Sequence, residues 1–393
     1  MSLILHGKNS FPLWAEEAGF MSHTTLSKQG VWKRINSCFA GFVLLVLNEV
    51  FEKHIKQTSK KIKTDGVLKN YGQILIQDST ILMLPDCLNK IFPGNYSKGK
   101  IKSLLKIQLT IDARKNKIVD YQLTSYSKND QSMSDSMIAL AAKEDMVIRD
   151  LGYFSLGVFA KLIDKGVALI SRIKPGVQLF DTKTKQPINL LKLLKNKCQA
   201  DLEVLVGKEF KLKMRLVALQ LPEDITNEKI RKAKHNRNKR LNHSKEYYQL
   251  LRYNIYITSE SKEKISTPKV AAIYRLRWRI ETIFKSWKSH FNLQNMIPSN
   301  VSMTEYRAKA IIYLLLIFIM QFQMTLYHLI IRYLHKCNKP ASISLMKFSK
   351  YIVAHLKEIL TTSIPRIAAA ICYYCCYDKR YDKNNYVEQF LLC

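Results

Sequence analysis

The sequence predicts an α/β core, interrupted by a β-rich stretch and flanked by helical regions at both ends. Three observations lead there. Apolar residues recur at helical spacing from Phe11 to Leu47, then give way to short β-branched and apolar runs between Gln73 and Thr124, then alternate helix, strand, helix, strand as far as Ile173. Residues 175–268 drop that alternation and offer mainly strand-like runs. From Pro268 onward the helical period returns.

Each element follows from local pattern. In the N-terminal region, 1–66, a polar break at Ser22, His23, Thr24 and Thr25 divides the helical stretch. That break allows a helix-turn-helix in which Thr25 to Asn36 faces a DNA groove and brings Lys28, Trp32, Lys33 and Arg34 near phosphates or base edges. A small helical packing domain accounts for the same pattern. The first part of the core, 67–174, reads as a strand meander, Gln73–Gln77, Thr80–Leu84, Ile101–Ile111 and Ile118–Thr124. Helix Ser134–Lys143, strand Met146–Arg149, helix Leu156–Lys165 and strand Val167–Ile173 follow. The β-rich stretch, 175–268, carries strands at Leu202–Val206, Lys211–Leu219 and Tyr253–Thr258. Within it, Lys229–Lys245 holds Arg231, Lys232, Lys234, Arg237, Lys239 and Arg240 and reads as a solvated loop able to track a phosphate backbone. A core helix in 269–300 runs through Lys288, and the C-terminal region, 301–393, is helical at Thr304–His335 and Ser342–Ile364 before a Tyr- and Cys-rich tail.

Charge narrows the function. Of 393 residues, 63 are Lys or Arg and 31 are Asp or Glu, a formal net charge of +32, while 47% hydrophobic content keeps the chain globular. The partner is expected to be a polyanion, and because the positive charge recurs along most of the length rather than in one amphipathic anchor, nucleic acid fits better than a membrane surface. The longest apolar run, Ala310–Met320, is short for a bilayer crossing and is followed by Gln321, Gln323 and His328, so a buried core helix is expected. Eight cysteines spread over the chain suit a reducing cytosol, and no leader-like segment opens it. Cys372, Cys375 and Cys376 lack a second ligand pair at zinc spacing. Gly94–Lys100 approaches a phosphate-binding loop, but Ile101 stands where a Ser or Thr is required and Phe92-Pro93 precedes it, so a basic loop between strands is expected.

The strongest chemical signal is Tyr274, Arg277, Glu281 and Lys288. On one continuous helix these four would fall within an arc of about 60°, placing one carboxylate among cations. Two more carboxylates stand at expected strand ends: Asp78 closes the first strand and Asp150 closes the strand after the first helix. Each alone would be an ordinary turn residue. Together with Glu281 they could form an oxygen cage for hard cations.

Asp78-Ser79-Thr80, then Asp150-Leu151-Gly152-Tyr153, then Tyr-x2-Arg-x3-Glu-x6-Lys from Tyr274 to Lys288 resemble the DDE transposases of bacterial insertion sequences, in particular insertion-sequence family four. The resemblance spans roughly residues 70–300. It implies a ribonuclease-H-like catalytic core interrupted by a β-rich insertion, and metal-dependent cleavage and strand transfer of DNA. Asp78, Asp150 and Glu281 would be catalytic and hold two Mg2+ or Mn2+ ions per active site, while Tyr274, Arg277 and Lys288 would grip DNA near the cut. The implied partners are double-stranded DNA, as terminal inverted repeats and target, and a second copy of the chain in an end-paired homodimer that works through a hairpinned end. The implied location is the bacterial cytoplasm, at the nucleoid, with no membrane partner. One departure stands out: relatives can stack a flipped base on an insertion-domain Trp, whereas this chain has Trp only at 14, 32, 278 and 287. A Tyr or Phe would have to take that role. A catalytically idle DNA-binding regulator derived from a transposase, or a metal-dependent nuclease on the same core, would share much of this pattern.

Overall fold

The structure is a computed structural model and describes residues 11–58, 66–97, 99–235, 244–297, 303–338 and 342–377. In chain order the helices α1 (Phe11–Ser22), α2 (Lys28–Arg34) and α3 (Ser37–Thr58) precede strands β1 (Ile74–Leu84), β2 (Pro93–Ser97), β3 (Lys100–Asp112) and β4 (Lys117–Ser125). Next come α4 (Ser136–Leu140), β5 (Met146–Arg149), α5 (Leu156–Asp164), β6 (Ala168–Arg172) and β7 (Leu179–Asp181). They are followed by α6 (Leu190–Leu194), β8 (Gln199–Val206), β9 (Leu212–Gln220), α7 (Glu223–Lys234), α8 (Lys245–Leu250) and β10 (Tyr253–Thr258). The rest is helical: α9 (Thr267–Tyr274), α10 (Trp278–Ser289), α11 (Glu305–Phe318), α12 (Leu326–Lys336), α13 (Leu345–Ala354), α14 (Leu356–Thr361) and α15 (Ile364–Tyr374). The protein is thus mixed α/β.

The described residues group into two compact units, one made of those that fall within 1–63, 78–129 and 278–390, the other of those within 64–77 and 130–277. The chain leaves the second unit inside β1, returns to it between Asn129 and Asp130, and leaves it again between Arg277 and Trp278.

In the second unit β1 pairs in parallel with β5, setting Ile76 opposite Ile148, and β5 pairs in parallel with β6. All four residues of β5 are buried, the mark of a strand covered on both faces. On the far side of β6 the strands turn antiparallel, in the order β6, β10, β9, β8, β7. The strands of the β-rich stretch therefore extend the sheet that β5 and β6 begin.

In the other unit β3 is the central strand, with ten successive buried residues from Ser103 to Asp112. Leu104 donates its N–H to Phe92 O and accepts from Tyr126 N–H, so β2 and β4 follow one another along one edge of β3. The Gly94–Lys100 segment, apart from residue 98, is strand–turn–strand, which is not the strand–loop–helix that cradles a phosphate. Helix α3 packs along α11. Between α11 and α12 the helix widens into a π segment, Ile319–Thr325, that buries Gln323 completely. Gln323 accepts from Trp287 Nε1 at 2.8 Å and donates to Ser286 Oγ and Ser349 Oγ at 2.5 and 2.7 Å, binding α10 to the π segment and α13. Losing that acceptor would leave a buried indole N–H without a partner, a cost of about 1–3 kcal/mol.

The structure corrects several sequence expectations. Gln73–Gln77 and Thr80–Leu84 are one strand, so Asp78 sits inside β1 and does not close it. The helix expected to run through Lys288 breaks into α9, a 3-10 turn at Arg275–Arg277 and α10, so Tyr274, Arg277 and Glu281 do not share one continuous α-helix. Arg231, Lys232 and Lys234 lie in the last turn of α7, whose first turn is acidic, the polarity that suits a helix dipole; Arg237, Lys239 and Arg240 lie outside the described residues. The expected helix Ser342–Ile364 is two helices, and Ile364-Pro365 opens α15 rather than ending one. The stretch Glu305–Lys336 is long and apolar enough to cross a membrane by length and composition, and 67% of its apolar window is buried within the protein.

A buried histidine pair gives this unit an acid-sensitive point. His54 on α3 hydrogen-bonds Thr325 Oγ1 at 3.0 Å, and its ring lies 6.3 Å from that of His328. Burial first, then His328 and Lys117, pushes His54 down to about 3, and burial with Lys115, Lys117 and Arg332 pushes His328 down to about 4, although a backbone contact at Asn116 opposes this. Both folded values lie below the unfolded one, so the unfolded chain takes up protons first as pH falls. The neutral pair is compatible with full stability above pH 6.5, and stability is lost as pH drops from 6.5 toward 4 and 3. We expect His328→Leu to remove part of this loss, on the order of 3 kcal/mol at the acid end, shifting the acid-unfolding midpoint followed by circular dichroism to lower pH.

Candidate active site

Asp150 is the best-defined carboxylate of the motif. It follows the last residue of β5 in extended conformation, φ −81° and ψ 162°, and caps the short turn Leu151–Tyr153, with Gly152 N–H directed at its Oδ2 at 3.5 Å. Arg277 Nε lies 3.5 Å from Asp150 Oδ1 in a pair that is 13% exposed on the Arg side and 36% on the Asp side. The Arg277 guanidinium also stands 5.9 Å above the Tyr274 ring, which in turn packs 5.1 Å from Tyr256 on β10. The second unit thus brings Asp150, Arg277 and Tyr274 together.

Tyr274 is 6% exposed, and its hydroxyl is buried without a protein hydrogen-bond partner. Burial, then the Asp150 carboxylate, pushes its pKa well above the ordinary tyrosine value, so it stays a donor at every physiological pH. A clamp fixes the helix that carries it. Arg215 forks onto Asp201 at 2.7 and 2.6 Å, Thr267 at the start of α9 donates to the same carboxylate at 2.5 Å, and Arg215 Nη1 donates to Ile265 O at 2.6 Å. Burial opposes ionisation of Asp201, yet these hydrogen bonds hold its carboxyl below the usual carboxylate range.

Asp78 and Glu281 belong to the other unit. Asp78 is half-buried on β1 and accepts from Ser79 N–H at 2.8 Å. Glu281 is half-buried in the first turn of α10, and Lys288 is exposed in its last turn. Arg279 anchors that helix by donating to Ala113 O at 2.7 Å and Asn116 Oδ1 at 3.1 Å, at the β3–β4 turn where Asn116 has φ 49°. Among the described residues no three His, Cys, Asp or Glu side chains are already gathered into a metal-holding group. The donor chemistry of three carboxylates nonetheless suits a hard divalent cation.

Lys28, Lys33 and Arg34 are all exposed on α2, where Arg34 also donates to Gly30 O at 3.1 Å. Trp32, on the same helix, is half-buried. Its ring is covered by the Arg307 guanidinium at 3.9 Å and by Phe11 at 4.4 Å, and its carbonyl accepts from Arg307 Nη2.

Two features went unseen in the sequence. Arg149, next to Asp150, is fully buried, and Gln77, next to Asp78, is its hydrogen-bond partner at 2.8 Å; the available signal was a polar residue inside an otherwise apolar strand. A cavity of about 440 Å³ opens beside Leu151, lined among others by Arg172, Lys174, Lys229, Tyr247 and Tyr253, with no carboxylate among the described residues of its wall. Burial, reinforced by Arg172, lowers the Lys229 pKa to about 8.

A family model described as the transposase DDE domain matches residues 71–314. The chain belongs to the DDE transposase family. This transposase-family chain is 27% identical over 293 residues to the transposase for insertion sequence element IS231E of Bacillus thuringiensis subsp. finitimus, covering 69% of this chain and 60% of that one. It is 28% identical over 290 residues to the IS231D transposase of the same subspecies, with the same coverage. With the IS1151 transposase of Clostridium perfringens it shares 27% over 294 residues, covering 69% and 61%. The chain therefore spans about 60% of the length of these curated relatives. Among solved structures, a piggyBac transposase chain from a synaptic complex with hairpin DNA aligns over 79% of this chain and 58% of its own, at 10% identity and a TM-score of 0.36, too low to carry an inference.

Because folding gives the Tyr274 hydroxyl no protein partner, removing it should not cost stability. We expect Tyr274→Phe to hold or raise the melting temperature, by up to about 1 kcal/mol in stability, as measured by calorimetry.

Proposed function

We propose that this chain is the transposase of a bacterial insertion sequence, which binds the element's terminal inverted repeats, cuts at their ends and joins them to target DNA. The observation that carries the reading is the family match over 71–314, a span that contains Asp78, Asp150, Tyr274, Arg277, Glu281 and Lys288 in motif order. The net charge of +32 supports a DNA partner, and the relatives' names support an insertion sequence as the element moved.

The proposed ribonuclease-H-like core comprises 67–174 with 269–300, and 175–268 is its β-rich insertion. The parallel run β1, β5, β6 supports the former and the antiparallel series β10 to β7 the latter. Residues 1–66 are the proposed end-binding region, with Lys28, Lys33 and Arg34 as phosphate contacts, and 301–393 the proposed dimerisation region of an end-paired complex.

Asp78, Asp150 and Glu281 are the proposed catalytic carboxylates, holding two Mg2+ or Mn2+ ions. When bound, such ions supply activation of water or a 3′-hydroxyl and stabilisation of the leaving oxygen. The chain's own groups do the rest. Arg277 orients Asp150 and offsets its charge. Tyr274, Arg277 and Lys288 grip the backbone near the cut. The cavity beside Leu151, with Tyr247 and Tyr253 in its wall among the cations Arg172, Lys174, Lys229 and Lys232, suits an unpaired nucleotide and supplies aromatic groups where the insertion has no Trp.

Incubated with a supercoiled plasmid bearing the element's ends, the protein should yield excised linear DNA and joined products; nicks alone would indicate a nuclease, and retention alone an idle regulator. Asp78→Ala, Asp150→Ala and Glu281→Ala should each reduce cleavage to background while end binding by gel shift stays near wild type. Retained cleavage in any one of them would remove that residue from the site. Arg277→Ala and Lys288→Ala should weaken end complexes and lower the salt slope of binding by about one each. Cleavage should proceed with Mg2+ or Mn2+ and stop with Ca2+ or EDTA, and equal cleavage in EDTA would end the metal reading.

A further inference from the structure

Arg149 is the most deeply buried cation of the second unit, with no exposed surface, yet among the described residues no carboxylate oxygen lies within 4 Å of it. Taking a guanidinium out of water without an ion partner is unfavourable, and an apolar side chain of the same volume would commonly serve packing as well or better. Its contacts are directional. Nη1 donates to Gln77 Oε1 at 2.8 Å and Nη2 to Ser134 O at 3.2 Å, while the guanidinium lies 5.1 Å from the centre of the Tyr153 ring. Gln77 passes the connection on through Nε2 to Ser136 Oγ at 3.0 Å, and Ser134 Oγ donates to Tyr153 O at 3.1 Å. One side chain therefore joins β1, the turn before α4 and the turn that Asp150 caps.

Geometry explains what this fixes. Ile76 pairs with Ile148, so Gln77 and Arg149 meet at the next position on one face of the β1–β5 pair. Strand alternation turns the residue after each, Asp78 along β1 and Asp150 beyond β5, away from that face. We propose that Arg149 is a positioning residue that, through its fork onto Gln77 and Ser134 O and its stack on Tyr153, holds the end of β5 and the Leu151–Tyr153 turn so that the Asp150 carboxylate is presented for metal-assisted DNA cleavage. The inference rests on the function proposed above, and concerns a residue outside the motif.

The test uses the full chain with Arg149→Met, Arg149→Lys, Gln77→Leu, Gln77→Glu and Asp150→Ala. Three quantities are read: Mn2+ binding without DNA, by the electron paramagnetic resonance of free Mn2+; the Mn2+ concentration for half-maximal cleavage; and end binding by gel shift. Arg149→Met should fold and bind ends as wild type does, but need roughly tenfold more Mn2+ in both metal measurements, with Arg149→Lys between the two. Gln77→Glu, which keeps a partner for the guanidinium, should resemble wild type, and Gln77→Leu should resemble Arg149→Met. Wild-type metal response in a folded Arg149→Met would overturn the inference. If Arg149→Met does not fold, the Gln77 pair decides it: equal metal response in Gln77→Leu and Gln77→Glu overturns it. Mn2+ binding that Asp150→Ala leaves unchanged would instead remove the metal role of Asp150, and this inference with it.

Discussion

The parallel register that sets Ile76 beside Ile148 is the constraint on which the rest of the Asp150 region depends. A slip of one residue would turn every side chain of β5 to the other face, exchanging the buried Arg149 for Asp150 and separating the guanidinium from Gln77. Burial alone does not choose the register, because Met146, Val147 and Ile148 are inaccessible to solvent on both faces of the strand. The polar pair of Gln77 and Arg149 marks it out. The proposed value of Arg149 lies in specifying one arrangement of the turns around it.

Helix α10 meets the same requirement by different means. Its buried face, Ile280, Ile283, Phe284 and Trp287, supplies the apolar contact, but apolar contact alone permits rotation and sliding about the axis. Hydrogen bonds at both ends remove that freedom. Arg279 ties the first turn to the β3–β4 hairpin, and Trp287 ties the last to Gln323. Glu281 lies between the two anchors, so its direction is set by groups that need not touch the reaction.

Much of this was legible in the sequence, and the failures have physical causes. Strand β5 was readable to the residue because a short apolar run ends at Asp150 and Gly152, both turn formers. The polar trio Gln77-Asp78-Ser79 looked like a strand end, since a sequence cannot distinguish polar residues that face solvent from polar residues bonded inside a sheet. The break at Arg275–Arg277 has no Gly or Pro to announce it, so helical period alone carried the reading through it. The contact of Trp32 with Arg307, 275 residues away, is likewise invisible to local pattern. Motif order, by contrast, is local information, and Asp78, Asp150 and the Tyr274–Lys288 spacing carry the family resemblance on their own.

The π segment Ile319–Thr325 carries a consequence for how this chain can change. A π turn holds one residue more than an α turn, so reverting it to regular helix with every residue kept would rotate everything on one side by about 100° relative to the other, whereas losing one residue along with the π turn would leave both sides in phase. In the first case Gln323 would leave Trp287, or Ala310 to Phe318 would leave α3, because both interfaces could not survive together. The long helix from Glu305 to Lys336 looks like a simple rod, uniform along its length. It is closer to a gear with two meshing faces, and the π segment is the slack that lets both mesh at once.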